Sequence, residues 1–228
     1  IEKAHRAHLD WRHVSFRDRA APMKKAGQIL RDRAKEYARL MAEEMGKPFK
    51  DGIAEAEKCA TCCDYFAEHA ERHLADEIVA TDARKSYVAF RPLGVVLAVM
   101  PWNFPFWQVI RFAAPGLMAG NAGVLNHASN VPGCALAIER IFKDAGFPEN
   151  LFRTLMIGSK EVSAAIEHPL VRAVTLTGST PAGKAVAAKA GECLKKTVLE
   201  LGGSDAYIIM DDADIEHAAA IATKGRLV

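Results

Sequence analysis

The chain has 228 residues, half of them hydrophobic, with 30 basic and 28 acidic residues and a formal charge of +2. That length can bury a large core in one big domain or one and a half. The charge balance gives no case for nucleic acid or an anionic membrane surface, no apolar run approaches a membrane span, and no signal peptide opens the chain. Small-molecule chemistry is what the composition leaves. The opening Ile1-Glu-Lys-Ala-His5 reads as the inside of a helix without an initiator Met, which predicts an N-terminus cut from something longer. The five cysteines (Cys59, Cys62, Cys63, Cys134 and Cys193) are odd in number and lack a disulfide framework, which fits a reducing cytoplasm. Cys59-Ala-Thr-Cys62 is a C-x-x-C in a helical stretch with no second pair at zinc spacing. It reads as packing, and no metal site is expected.

Residues 1 to about 82 are helical in character. From Phe16 to Arg33 apolar residues recur at helical spacing, with Met23, Ala26, Ile29 and Leu30 on one face. Tyr37 to Met45 continues the pattern and Gly46-Lys-Pro48 stops it. Asp51 to Leu74 is a third amphipathic helix, with Tyr65 and Phe66 expected on its buried side. The charge runs here read as solvated faces. Tyr87–Phe90 then reads as a strand and Arg91–Gly94 as a turn. From Val95 strand and helix alternate. Expected strands are Val95–Met100, Gly123–Asn126, Leu151–Met156, Val171–Thr177, Thr197–Leu201 and Ala206–Met210. Expected helices are Phe106–Leu117, Pro132–Ala145, Val162–His168, Pro181–Ala190 and Asp214–Lys224. This order predicts an α/β fold with a doubly wound, mainly parallel, Rossmann-like sheet beside the N-terminal helices.

Three stretches carry chemistry. The first is Met100-Pro-Trp-Asn-Phe-Pro105, where a strand hands over to a helix. In open α/β sheets that carboxyl edge is where ligands bind. Pro101 and Pro105 fix the backbone, and Asn103 between them is suited to donate to a developing oxyanion. The same residues suit a Pro-rich turn whose Asn caps the next helix. The second is Thr177-Gly-Ser-Thr-Pro-Ala-Gly183. Free N–H groups and the Ser179 hydroxyl at a helix start suit a phosphate, or simply a capped βα turn. Its G-x-x-x-x-G spacing is neither the dinucleotide fingerprint nor a Walker loop. The third is Leu199-Glu-Leu-Gly-Gly203. Apolar neighbours would raise the pKa of Glu200 and suit it to act as a general base. The alternative is an edge-strand Glu facing solvent.

In order and separation these stretches, with Ala119-Gly-Asn121, resemble the aldehyde dehydrogenase superfamily, and the likeness covers essentially the whole chain. Phe106-Trp-Gln-Val-Ile-Arg111 and His127-Ala-Ser-Asn-Val-Pro-Gly-Cys134 are similar to its succinate-semialdehyde dehydrogenase group. The resemblance implies oxidation of a small aldehyde to a carboxylic acid with NAD or NADP. A Cys thiolate forms a thiohemiacetal, Asn103 stabilises its oxyanion, and hydride passes to the nicotinamide. Glu200 activates the water that hydrolyses the thioester. Arg111 would hold the distal carboxylate of succinate semialdehyde. Gly178 and Ser179 would lie at the pyrophosphate. Met100, Pro101, Trp102, Gly158 and Gly183 would line the cofactor channel, and Leu201 would approach the nicotinamide.

The sequence departs from the family in two places. Asn126 stands where the family commonly has Lys at the adenosine ribose. Ser129 stands where NAD-preferring members often have Glu, so the NAD/NADP preference stays open. None of the five cysteines occupies the nucleophile's place, which in the family follows soon after Lys224–Val228. The expected organisation is therefore N-terminal helices at 1–82 and a strand segment of the oligomerisation region at 83–94. An NAD(P)-binding domain follows at 95–228, with the catalytic domain beyond it. The resemblance also implies a cytoplasmic homo-oligomer, a dimer or tetramer, when the enzyme is whole. These 228 residues alone are expected to have no dehydrogenase activity. The rival readings are a dehydrogenase for another small aldehyde and a non-catalytic nucleotide-binding or interaction fragment.

Overall fold

The computed structural model describes residues 1–227; Val228, the expected last residue of the cofactor domain, lies outside them. Four helices open the chain: α1 (Glu2–Trp11), α2 (Phe16–Asp32), α3 (Ala34–Met45) and α4 (Phe49–His73). Met23, Ala26, Ile29 and Leu30 form the buried face of α2, as their spacing predicts. Gly46 ends α3 in the left-handed conformation at φ 76°, and Pro48 leads into α4. The buried stripe of α4 is made of small residues: Gly52, Ala56, Cys59, Ala60, Cys63 and Ala70. They let α2, α3 and α5 (Trp107–Met118) close in on it. A Cβ at Gly52 would sit 2.8 Å from the Ala38 Cα, so only glycine fits there.

The expectation for Tyr65 was wrong. It is exposed, and its ring stacks on His69 and His73, while Phe66 is half-buried. Cys63 and Ala70 lie seven residues apart on one stripe, and two residues beyond Cys63 the helix has turned by about 200°.

Next comes a small antiparallel hairpin of β1 (Glu77–Ile78) and β2 (Tyr87–Val88). The alternating region follows as β3 (Val95–Met100), α5, β4 (Ala122–His127), α6 (Pro132–Asp144), β5 (Phe152–Thr154), α7 (Val162–Glu167), β6 (Val171–Thr177), α8 (Thr180–Glu192), β7 (Lys196–Glu200) and α9 (Ile215–Leu227). The strands form one parallel sheet in the order β5-β4-β3-β6-β7. Every residue of β4 is buried, as are all but Val99 of β3, which is what an uninterrupted apolar run in a parallel sheet requires.

Two expected strands fare differently. Leu151–Met156 contracts to β5, and Ala206–Met210 forms no strand: its residues are exposed. Composition makes a segment suited to pair but does not supply a neighbouring edge.

The chain starts the sheet in its middle at β3, winds outward to β5, then returns across β3 to β6. The switch point lies between β3 and β6. Ligands in open α/β sheets bind at the carboxyl ends of strands at such a point. The loops that leave those strands carry Asn103 and Ser179.

Candidate active site

The loop from Pro101 to Phe106 has no ladder or helix to satisfy its backbone, so its polar groups need other partners. They are supplied from outside. Glu55 of α4 accepts from the Phe106 and Trp107 N–H groups through Oε1, both at 2.9 Å. Its Oε2 faces the Lys47 ammonium at 2.6 Å. Lys47 donates to the Asn103 carbonyl at 3.1 Å and stands 3.8 Å over the Phe104 ring. His127, at the end of β4, lies 2.9 Å from the Pro105 carbonyl through Nε2, and its Nδ1 is 3.0 Å from the Ala128 N–H. Nε2–H donates to the Pro105 carbonyl, while Nδ1 lies between the Ala128 N–H and the Met100 carbonyl, the latter at 3.2 Å. Burial lowers the pKa of His127, so the ring is neutral at neutral pH. Asn103 itself is exposed. Its Oδ1 accepts from Gln108 Nε2 at 3.2 Å, which leaves its own N–H2 free to donate. Asn103 does not cap α5. Glu55 does, so the capping alternative for Asn103 falls.

The other end of α5 is held just as deliberately. Trp11 Nε1 donates to the Leu117 carbonyl at 2.8 Å, and Arg19 donates to the Met118 carbonyl at 2.8 Å. His8 Nδ1 lies 2.9 Å from the Gly120 carbonyl. A carboxylate at the N-terminus of α5 and a guanidinium at its C-terminus match the helix dipole. The N-terminal helices thus fix the element that follows Asn103 at both ends.

Arg111 lies just over one turn into α5, about two turns' worth of residues after Asn103. It pairs with Glu200 at the end of β7 and sits beside the Trp107 ring. Glu200 also receives the Thr177 hydroxyl at 3.5 Å. Gln108, Arg111, Thr177 and Glu200 line one cleft of about 470 Å³, with Met100 and Val96 in its floor. The structure thus brings Arg111, Glu200 and Met100 together, and Gln108 ties Asn103 to the same cleft. The apolar setting expected around Glu200 is absent: the residue is exposed, and so is Leu201 beside it. Trp102 is exposed and Pro101 half-buried on the loop above.

The remaining residues form two further groups. Ser129 and Gly158 line a separate pocket of about 230 Å³ at the carboxyl ends of β4 and β5. Asn126 is only 6% exposed and donates Nδ2 to the Ile157 carbonyl at 2.9 Å, so it braces this pocket from behind. Gly178, Ser179, Gly183 and Leu201 gather at the start of α8. Ser179 is its N-cap and accepts from the Ala182 N–H at 3.4 Å. A Cβ at Gly183 would lie 2.5 Å from Leu201 Cδ2, so glycine is what lets Leu201 lie against the helix. The space beside Ser129 and Gly158, and the glycines at α8, suit an elongated nucleotide crossing the carboxyl edge.

Lys47, Glu55, Gln108 and His127 escaped sequence reasoning as site residues. The available signal was a Glu amid Gly52, Ala56, Cys59 and Ala60, on what proves to be a buried stripe. The cysteines behave as packing. Cys59, Cys63 and Cys134 are buried, with thiols pushed up by desolvation. Burial pushes Cys62 up to about 11. Cys193 ends α8, roughly 20 Å along the helix from Ser179 at 1.5 Å per residue. No group of three or more potential metal ligands occurs among the described residues. No helix among them is long and apolar enough to cross a membrane.

Open parallel α/β sheets bind ligands at the carboxyl edge by the switch point, and the braced Asn103 amide stands there. The family can be named as well: the model of the aldehyde dehydrogenase family matches residues 1–228, and the chain belongs to that family. It is 53% identical over 227 residues to a Synechocystis protein named "Probable succinate-semialdehyde dehydrogenase [NADP(+)]", covering all of this chain and 50% of that protein. It is 51% identical to an aldehyde dehydrogenase of Paenarthrobacter nicotinovorans, with the same coverage. Among solved structures, succinic semialdehyde dehydrogenase from Streptococcus pyogenes in complex with NADP+ superposes with a TM-score of 0.91 at 40% identity. The match covers 94% of this chain and 48% of that one. The chain spans about half the length of the curated relatives it matches.

Proposed function

We propose that this chain is the cofactor-binding part of an NAD(P)-dependent aldehyde dehydrogenase whose substrate is a short aldehyde with a distal carboxylate, succinate semialdehyde being the best fit. The observation that carries the reading is the placing of Arg111 and Glu200 in one cleft, next to a loop that holds the Asn103 amide free. In this reading residues 1–82 brace the site and residues 83–94 belong to a subunit contact of a homo-oligomer. Residues 95–228 bind the dinucleotide, and the protein works in the cytoplasm.

Asn103 Nδ2 donates to the oxyanion that forms when a thiolate adds to the aldehyde carbon. Cys59, Cys62, Cys63 and Cys134 do not suit the role of that thiolate, since burial pushes their thiols up, and Cys193 lies at the far end of α8 from Ser179. Bound NAD(P)+ supplies the hydride acceptor. Glu200 takes the proton of the water that cleaves the thioester. Ser129 and Gly158 would hold the adenosine end, with Asn126 behind them. Gly178, Ser179 and Gly183 would hold the pyrophosphate, and Pro101, Trp102, Met100 and Leu201 the nicotinamide end. NADP is favoured over NAD, because Ser129 carries no charge to repel a 2′-phosphate and the names of the Synechocystis and Streptococcus pyogenes relatives specify NADP.

Arg111 is already paired with Glu200. An exposed pair of this kind contributes little, about 0–1 kcal/mol. A substrate carboxylate can therefore take the guanidinium at small cost and release Glu200 for its work as base. In the full-length protein Arg111→Ala should raise the KM for succinate semialdehyde at least about tenfold more than the KM for an uncharged aldehyde of similar length. Equal effects on both substrates would remove Arg111 from the substrate site.

A further inference from the structure

The Lys47–Glu55 pair is, we propose, the positioning device of Asn103, and it acts on the chemical step without touching the substrate. This rests on the reading of Asn103 as the oxyanion donor. The side chains of Lys47 and Glu55 are 8% and 2% exposed. A buried ion pair is on average no more stabilising than apolar residues of the same shape. This one spends its hydrogen bonds on a single loop. Glu55 takes the two N–H groups that follow Asn103, at Phe106 and Trp107. Lys47 takes the Asn103 carbonyl itself and covers the next ring, Phe104. The pair therefore grips the loop at Asn103 itself and three and four residues beyond it.

The supports of the pair are themselves rigid. Lys47 precedes Pro48, which restricts its backbone, and its side chain is buried. Glu55 sits in the second turn of α4, on the stripe packed against α3 and α5. Electrostatics gives the lysine a second task. Glu55 alone would set a negative charge beneath the place where an oxyanion develops. Lys47 at 2.6 Å cancels that field while leaving the carboxylate free to cap α5. Removing Lys47 both loosens Asn103 and uncovers a charge of the wrong sign for the transition state. Its loss falls on kcat, because nothing in the pair reaches substrate or cofactor.

The test is steady-state kinetics of the full-length protein with succinate semialdehyde and NADP+, together with NADP+ titration. Lys47→Met should lower kcat about tenfold to a hundredfold, the scale of a small misplacement at a reacting centre. KM and NADP+ affinity should stay within about twofold, and Lys47→Arg should recover most of the rate. If Lys47→Met does not fold, the double variant Lys47→Met/Glu55→Gln and the isosteric Glu55→Gln take its place. A fall of about tenfold in kcat at unchanged KM supports the proposal in either of them. Folded variants with kcat within about twofold of the unmodified protein, or with losses confined to KM, overturn it. If the unmodified protein oxidises no aldehyde, the functional reading falls and takes this proposal with it. Normal turnover with indifferent variants overturns the proposal alone.

Discussion

The loop after β3 and the turn after β6 occupy equivalent places on the carboxyl edge, yet they are held by different means. On the β3 side, every cap comes from a distant helix. Glu55 caps α5, and Glu44 of α3 caps α6 through the Gly133 and Cys134 N–H groups at 2.6 and 2.8 Å. On the β6 side, α8 is capped only by its own Ser179, at 3.4 Å, and β7 lies open with Val198 61% exposed. Asn103, the proposed oxyanion donor, is thus held by tertiary structure, whereas Glu200 and the Gly178–Ser179 turn, the proposed base and anion site, stand on a bare edge. A charge that builds up in a transition state is best met by groups that do not reorganise. A base that must let water in and a cofactor out has use for freedom.

If that contrast is real, removing the caps should cost stability in a fixed order. Glu55→Ala should cost most, about 3–5 kcal/mol, because it strands the buried Lys47 ammonium as well as two N–H groups. Glu44→Ala should cost about 1–2 kcal/mol, the upper range for a helix cap. Ser179→Ala should cost about 0.5–1 kcal/mol at most. Urea unfolding of the three variants measures all of these, and a Ser179 effect equal to that of Glu55 would erase the distinction between the two sides.

A smaller signature is pH-dependent. Burial depresses the pKa of His127 below its ordinary 6.5, and that of His8 likewise. The unfolded chain then takes up these protons more readily than the folded one. Stability is complete above about pH 6.5 and falls as the pH drops toward the folded values. His127→Gln should flatten part of that fall below about pH 6.5. An unchanged slope would show that His127 is not held neutral against the Pro105 carbonyl.

Much of this architecture was legible in the sequence, and the reasons are local. Val95–Met100 is an unbroken apolar run ended by Pro101, and Val171–Thr177 is a β-branched-rich run, broken only by Arg172, ended by Gly178. Ala206–Met210 has the composition of a strand but not the position, since pairing depends on a neighbour that no local pattern encodes. Aromatic size favours the core for Tyr65, but helical phase, two residues beyond the buried Cys63, turns it to solvent. The deepest omission was the Lys47–Glu55 pair. Charges at 47 and 55 look like solvated faces until the folded chain brings them beneath residues 103–107, about fifty positions away. The Arg111–Glu200 pair, 89 positions apart, was hidden for the same reason.

The measurement that bears most directly on the account is the kcat of the full-length protein for succinate semialdehyde with NADP+, compared with that of Asn103→Ala. The account predicts a fall of about a hundredfold to a thousandfold with NADP+ affinity unchanged, the usual loss for an oxyanion donor. An Asn103→Ala protein that turns over at the original rate would contradict it, since the loop, its buried ion pair and its caps would then be holding nothing that the reaction needs.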